Sequence, residues 1–302
     1  MSNKQFKPML AYTIEDTSKI QYPCYVSVKL DGIRAVVLDG VVYSRSMKPI
    51  RSKVVQAMFG KQEYNGFDGE LLYGDWNAPN VFNLTTQAVM SENLKEGLSK
   101  ENITFAVFDD ALGKGDFDQR LLSLEIESNQ YLNYPSIVFL KQTYVQNEQE
   151  LLTIEKEVLE DGYEGLIVKL PNSPYKQGRS TAKEGYTGKL KRFSQKEARV
   201  IGFEEKMHNT NAKTTNELGY SERSMSKDGM EPAGTLGALV CEVDGITFTC
   251  GSGFDDATRQ EVWDNRDKYF GKLITFKYFE IGMKDSFRFP IFLGFRDEDD
   301  MS

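Results

Sequence analysis

The sequence predicts an α+β chain of two domains, with mixed and antiparallel sheets in the first and a small β-barrel in the second. Three observations predict it. At 302 residues the chain is longer than one hydrophobic core usually serves. Its first 190 residues carry short β-branched apolar runs at irregular intervals, a poor fit to repeated parallel strand–helix–strand units. From about residue 194 onward, short strands surround a single helical segment.

The elements follow in order. "CYVSVKL", "AVVLDGVVYS", "FDGELL", "ITFAVFD" and "EGLIVKL" read as strands, and "LDGVV" as a hairpin turn. Residues 52–59 and 147–160 read as helices; in the latter Leu151, Ile154, Val158 and Leu159 recur near helical spacing. Beyond a boundary near 190–195, "EARVIGFEE", "LGALVCEVDGITFTCGSGF" and "KLITFKYFE" read as strands, with "VDGI" as a hairpin turn. "DDATRQEVWDNRDKYFG" reads as a helix capped by Asp255 or Asp256. Five or so strands and one helix in about 110 residues suit a barrel of the OB type. Residues 205–232 form a long polar insertion between two of these strands, which reads as a functional or a disordered segment.

Composition excludes several chemistries. Three cysteines without CxxC spacing give no disulfide framework and no cysteine-rich zinc site, and a single histidine rules out a His-rich metal centre. A lysine, carboxylate or tyrosine is therefore the expected nucleophile or proton carrier. No run approaches 18 apolar residues and the N-terminus lacks a signal-peptide core, so a soluble, intracellular protein without a membrane partner is expected. The net charge of −8 disfavours nucleic acid only as a bulk figure. Between residues 175 and 196 seven basic side chains (Lys176, Arg179, Lys183, Lys189, Lys191, Arg192, Lys196) oppose one acid, Glu184. That segment reads as a phosphate-contacting surface or as a solvated face.

Along "VSVKLDG", strand alternation puts Ser27, Lys29 and Asp31 on one face, opposite Val26, Val28 and Leu30. Lys29 fits an ordinary exposed lysine or a nucleophile whose pKa is lowered by burial and by cations such as Lys189 and Lys191. Glu70, after the Asp-Gly of "FDGELL", and Glu164, before a buried strand ending in Lys169, could hold Mg²⁺ or a ribose hydroxyl. Phe108 reads as a core aromatic unless a planar base stacks on it.

Taken in order, "KLDGIR", Ser44-Arg45, "DGEL", "FAVFD", "EGLIVK" and "KLKR" resemble the motif series of the covalent nucleotidyltransferases: DNA ligases, RNA ligases and mRNA capping enzymes. Further segments, among them "YKQGRSTAKEG", "GSGFD" and "FRFPIFLGFRDED", extend the resemblance over nearly the whole chain, to compact ATP-dependent DNA ligases of the chlorella-virus type. The resemblance implies an adenylyltransferase domain (an ATP-grasp-like ligase domain) at 1–192 and an OB-fold domain at 193–302, with 205–232 as a latch that encircles DNA. It implies a monomer that seals 5′-phosphate/3′-hydroxyl nicks in duplex DNA, with ATP as cofactor and Mg²⁺ or Mn²⁺ as metal. DNA replication, repair and recombination would be its settings, in a host cytoplasm or virus factory if the source is viral.

By the same resemblance Lys29 would carry AMP, with Asp31 assisting strand closure. Arg34 and Arg45 would hold the AMP phosphate or the nick 5′-phosphate, and Arg179 the latter. Glu70 would hold the ribose or a metal, Glu164 the metal, Phe108 the adenine, and Lys189 and Lys191 the α-phosphate. Arg288, and after it Arg296, would orient pyrophosphate. Two departures stand out: the insertion has four basic residues against five acids, and the acidic tail "RDEDDMS" stands where a terminal lysine is common in the wider group. An RNA ligase, a capping guanylyltransferase or a non-enzymatic DNA-binding module are the alternatives. The second prefers GTP and the third forms no covalent adduct.

Overall fold

The structure, a computed structural model, describes residues 6–215, 221–224, 226–279 and 286–296. The tail residues Asp297–Asp300 and part of the 205–232 insertion lie outside them. Two compact units emerge, residues 1–191 with 215–220, and residues 192–214 with 221–302.

The first unit holds two five-stranded sheets. One is ordered Val41–Ser44, Ile33–Leu38, Phe67–Tyr73, Ile103–Asp110, Ile137–Phe139, antiparallel except for the last pair. Its core packs Ile33, Val37, Phe59, Leu71 and Phe105 under the helices Lys53–Phe59, Val81–Val89 and Phe117–Ser128. The other is ordered Tyr12–Ile14, Thr187–Leu190, Leu166–Lys169, Cys24–Val28, Thr143–Val145. Its core side (Cys24, Val26, Leu166, Val168, Leu190) packs with Leu151 and Val158 of the helix Glu148–Glu160. Side-chain caps start the expected helices: Ser52 accepts from Val55 N–H and Asn147 from Glu150 N–H. The helices Val81–Val89 and Phe117–Ser128 went unread in the sequence, although the second opens on a capping box between Asp116 and Gln119.

Two Asp-Gly pairs behave differently. Asp39, at φ 51°, turns the hairpin between Ile33–Leu38 and Val41–Ser44. Asp68-Gly69, a pair that usually turns, runs through the expected strand at Phe67–Tyr73, with an irregularity in register between them. The reason is steric: a Cβ on Gly69 would stand 2.3 Å from the Ala106 carbonyl oxygen, so glycine admits the neighbouring strand.

The second unit is an antiparallel sheet ordered Ile246–Cys250, Met230–Val243, Ser194–Asn209, Leu273–Phe279, Arg288–Arg296. A parallel bridge from Ser252 to Ile291 links its two edges, and an aromatic core of Phe248, Phe276, Tyr278 and Phe287 fills the inside. Asp255 caps the helix Asp256–Asp264 by accepting from Thr258 N–H at 2.7 Å. The strand Ser194–Asn209 runs four residues further than expected, and Met207–Asn209 pair with Met230–Pro232 inside the insertion. Lys213–Thr215 and Ser221–Arg223 pair as a separate two-stranded sheet. Among the described residues, no helix is long and apolar enough to cross a membrane.

Candidate active site

The two sheets of the first unit face each other across a cavity of about 300 Å³. Register explains which side chains enter it from one sheet. Ile167 pairs with both Ser27 and Lys189, and Lys169 pairs with both Tyr25 and Thr187. Alternation then turns Ser27, Lys29, Ile167, Lys169, Thr187 and Lys189 toward the cavity, while Val26, Leu166, Val168 and Leu190 go to the core. The other sheet contributes Arg34, Glu70 and Phe108, and Asp31, Arg45 and Arg179 join the lining from loops and the short strand Gly178–Arg179.

Gly32 makes this meeting possible. A Cβ there would lie 2.2 Å from the Leu71 carbonyl oxygen and 2.9 Å from Glu70 Cγ, so the turn after Lys29 can pass Glu70 only as glycine. Leu30 anchors the same turn in a small cluster with Leu72, Val81 and Ala106.

Lys29 Nζ donates to Glu164 Oε2, and Lys191 Nζ lies 3.8 Å from Glu164 Oε1. This corrects the expectation of a lowered Lys29 pKa. Burial does pull it down, but the Glu164 carboxylate, joined by Asp31 and Glu70, outweighs burial and raises it. Lys189 is held below its ordinary value, through burial and then the crowding of Lys29, Arg179, Lys191 and Arg45, and burial lowers Lys169 as well. Burial pushes Glu70 up to about 7, partly offset by Arg34 and Lys29.

Arg34 is anchored on three sides. Nε and Nη2 each donate to the fully buried Asp68 at 2.6 Å, and Nη2 also reaches the Met9 carbonyl at 3.1 Å. Its guanidinium lies 4.6 Å from the ring centroid of Phe108. Among the described residues no acceptor is bonded to Nη1. Phe108 is set from behind by Lys169, whose Nζ donates to the Phe108 carbonyl at 3.1 Å and to Asp109 at 2.7 Å. Asp109 in turn takes Arg120 Nε at 2.8 Å. Arg179 Nη1 donates to the Ala11 carbonyl at 2.6 Å.

The structure thus gathers Lys29, Asp31, Arg34, Arg45, Glu70, Phe108, Arg179 and Lys189 around one cavity, with Glu164 bonded to Lys29 and Lys191 paired with Glu164. Not all of the basic segment serves it, since Lys176 is tied to Glu184 by two bonds of 2.7 and 2.6 Å. Arg288 belongs to the second unit, with Phe279 and Phe289 rings 5.6 and 5.1 Å away. Sequence reasoning put Ser27 on the Lys29 face but missed Ile167 and Thr187 in the lining, and Asp68 behind it. Period-two counting from Lys169 and Lys189 would have found the first two.

Three His, Cys, Asp or Glu side chains gathered for a metal do not occur among the described residues. The donors still fit a magnesium-type ion, which takes few protein carboxylates and fills its shell with water and substrate phosphate. Glu70, left without enough nearby positive charge to keep its ordinary pKa, and Glu164 are oxygen donors of the right chemistry.

Residues 8–184 match the family described as the ATP dependent DNA ligase domain, more than half of the chain, and residues 229–296 match the DNA ligase OB-like domain. The chain belongs to the ATP-dependent DNA ligases. The ligase is 31% identical to the Chlorella virus DNA ligase-adenylate, over 98% of this chain and 99% of that one, with a TM-score of 0.55. It shares its fold with a Lig E DNA ligase (TM-score 0.71, 24% identity, 96% and 99% coverage). It also shares it with the bacteriophage T7 ATP-dependent ligase solved with ATP (TM-score 0.50, 16% identity, 96% and 98% coverage). Comparison with the curated proteins finds no match. Nick sealing at the expense of ATP is therefore the ligase's activity.

Proposed function

We propose that Lys29 is the nucleophile that takes AMP from ATP, and that the ligase then passes AMP to a nick 5′-phosphate before the 3′-hydroxyl displaces it. The observation that carries this reading is the position of Lys29: on the cavity side of its strand, bonded to Glu164, in a cavity that Arg45, Arg179 and Lys189 also line. Lys29 Nζ forms a bond to the α-phosphorus, the bond from phosphorus to the pyrophosphate oxygen breaks, and the proton of Nζ passes toward Glu164. Lys189 and Lys191 hold the α-phosphate, where their charge offsets the charge that builds on its oxygens. Phe108 stacks on adenine against Ile167 on the facing sheet, and Glu70 takes the ribose.

The later steps use the same wall. The nick 5′-phosphate oxygen displaces Lys29 from AMP, with Arg34 Nη1, Arg45 and Arg179 holding that phosphate. Asp31 orients the 3′-hydroxyl, whose oxygen forms the phosphodiester as AMP leaves. Glu164 and Glu70 would hold Mg²⁺ or Mn²⁺, which would supply Lewis-acid polarisation of a phosphate.

The assignment extends to the rest of the chain. The nucleotidyltransferase domain is 1–192 and the OB domain 193–302, with Arg288 orienting pyrophosphate and the 205–232 hairpin helping to enclose nicked duplex DNA. The enzyme acts as a monomer in DNA replication, repair and recombination.

Labelled ATP with Mg²⁺ tests the core of this. The wild type acquires a covalent AMP label, GTP gives none, and Lys29→Ala abolishes the label while the protein stays folded. A labelled Lys29→Ala protein refutes the site.

A further inference from the structure

Tyr175 lies outside the cavity, yet its hydroxyl joins the parts that aim two cavity arginines. It donates to Asp68 Oδ2 at 2.6 Å, the oxygen that also takes Arg34 Nη2, and it accepts from Met9 N–H at 3.2 Å. The Met9 carbonyl takes Arg34 Nη2 as well, and Met9–Leu10 pairs in parallel with Gly178–Arg179. Arg179 then donates to the Ala11 carbonyl one residue beyond that pair.

We propose that Tyr175 is a positioning residue: its hydroxyl, held between Asp68 and the backbone of Met9, fixes the directions in which Arg34 and Arg179 present their guanidinium groups to the nick. The proposal rests on the reading of these arginines as contacts for the 5′-phosphate.

The physical argument is orientational. Two parallel bonds from Arg34 already neutralise Asp68, so a third donor is not needed for charge. What it adds is a restraint on the carboxylate plane. A planar guanidinium in a two-bond fork follows the plane of its carboxylate, so the third bond also fixes where Nη1 points. Phenylalanine would keep the ring contacts, with Phe6 at 6.1 Å between centroids and Arg120 at 5.8 Å, and would remove only the hydroxyl.

The test is a double-mutant cycle on the full chain with Tyr175→Phe, Arg34→Lys and both together. Arg34→Lys keeps a cation on Asp68 but has no fork. Two steps are followed: formation of lysyl-AMP from ATP, and single-turnover transfer of AMP from preformed enzyme-AMP to a 5′-phosphorylated nick. Tyr175→Phe should leave the first step within about twofold and slow the second roughly tenfold, the scale expected for small errors of alignment. In the Arg34→Lys background it should slow transfer no further. Equal slowing of both steps by Tyr175→Phe would show a general structural role and overturn the proposal, as would independent, multiplicative effects of the two substitutions. If Arg34→Lys alone leaves transfer unchanged, it is the assignment of Arg34 that fails, and the proposal falls with it on separate evidence.

Discussion

Replacing Glu70 by glutamine exposes the cost of holding a half-buried carboxylate in the wall of the cavity. Burial raises Glu70 from its ordinary 4.5 to about 7, so between those values the folded state keeps a proton that the unfolded chain has released. The sign follows: stability is highest below pH 4.5, falls as pH rises toward 7, and is level above. The full interval corresponds to roughly 3 kcal/mol, and because the side chain is only half-buried about 2 kcal/mol is expected. Glu70→Gln removes the titration without changing shape. Urea unfolding of the first unit at pH 5, 6, 7 and 8.5 should show the variant and wild type nearly equal at pH 5. The variant should gain about 2 kcal/mol by pH 8.5. A difference that is constant with pH, or that favours the wild type at high pH, would refute the reasoning, whatever happens to activity.

Three further outcomes follow from particular contacts. Gly32→Ala puts a Cβ 2.2 Å from the Leu71 carbonyl oxygen and should lower stability by about 2–3 kcal/mol, read as a drop in melting temperature. Arg120→Met leaves Asp109 with Lys169 and the Asp110 N–H, and removes the Arg120 donor from the Gly115 and Ser173 carbonyls; thermal unfolding should show a loss of about 3 kcal/mol. Binding to duplex DNA should be weak and fall steeply with salt, with a 5′-phosphorylated nick bound more tightly, as a gel-shift titration at several salt concentrations will show.

Much of this architecture was legible because strand alternation is a local property. Ser27 and Lys29 share a face by period-two counting, and Leu30, on the other, does anchor the turn. The insertion announced itself by polarity. What could not be read was which distant groups meet. Glu164 lies 135 residues from Lys29 and Tyr175 lies 107 from Asp68, and no local pattern pairs them. Asp68 hid in a dipeptide that usually makes a turn. The strand register at Gly69, where only a missing side chain lets two strands approach, decided otherwise.

The protonation of Lys29 shows why that distinction matters chemically. A reading by residue type counts cations near Lys29 and infers an amine primed to attack. The geometry puts the cation crowding on Lys189 instead and gives Lys29 a carboxylate partner, so its ammonium form is favoured until the charge of Glu164 is taken up. Glu164→Gln should therefore leave burial unopposed by its largest counterweight and move the Lys29 titration to lower pH. Modification of Lys29 by an amine-directed reagent, followed by mass spectrometry across pH without nucleotide, isolates this from catalysis. A midpoint that stays in place or rises in the variant would mean that Asp31 and Glu70, not Glu164, keep the proton on Lys29.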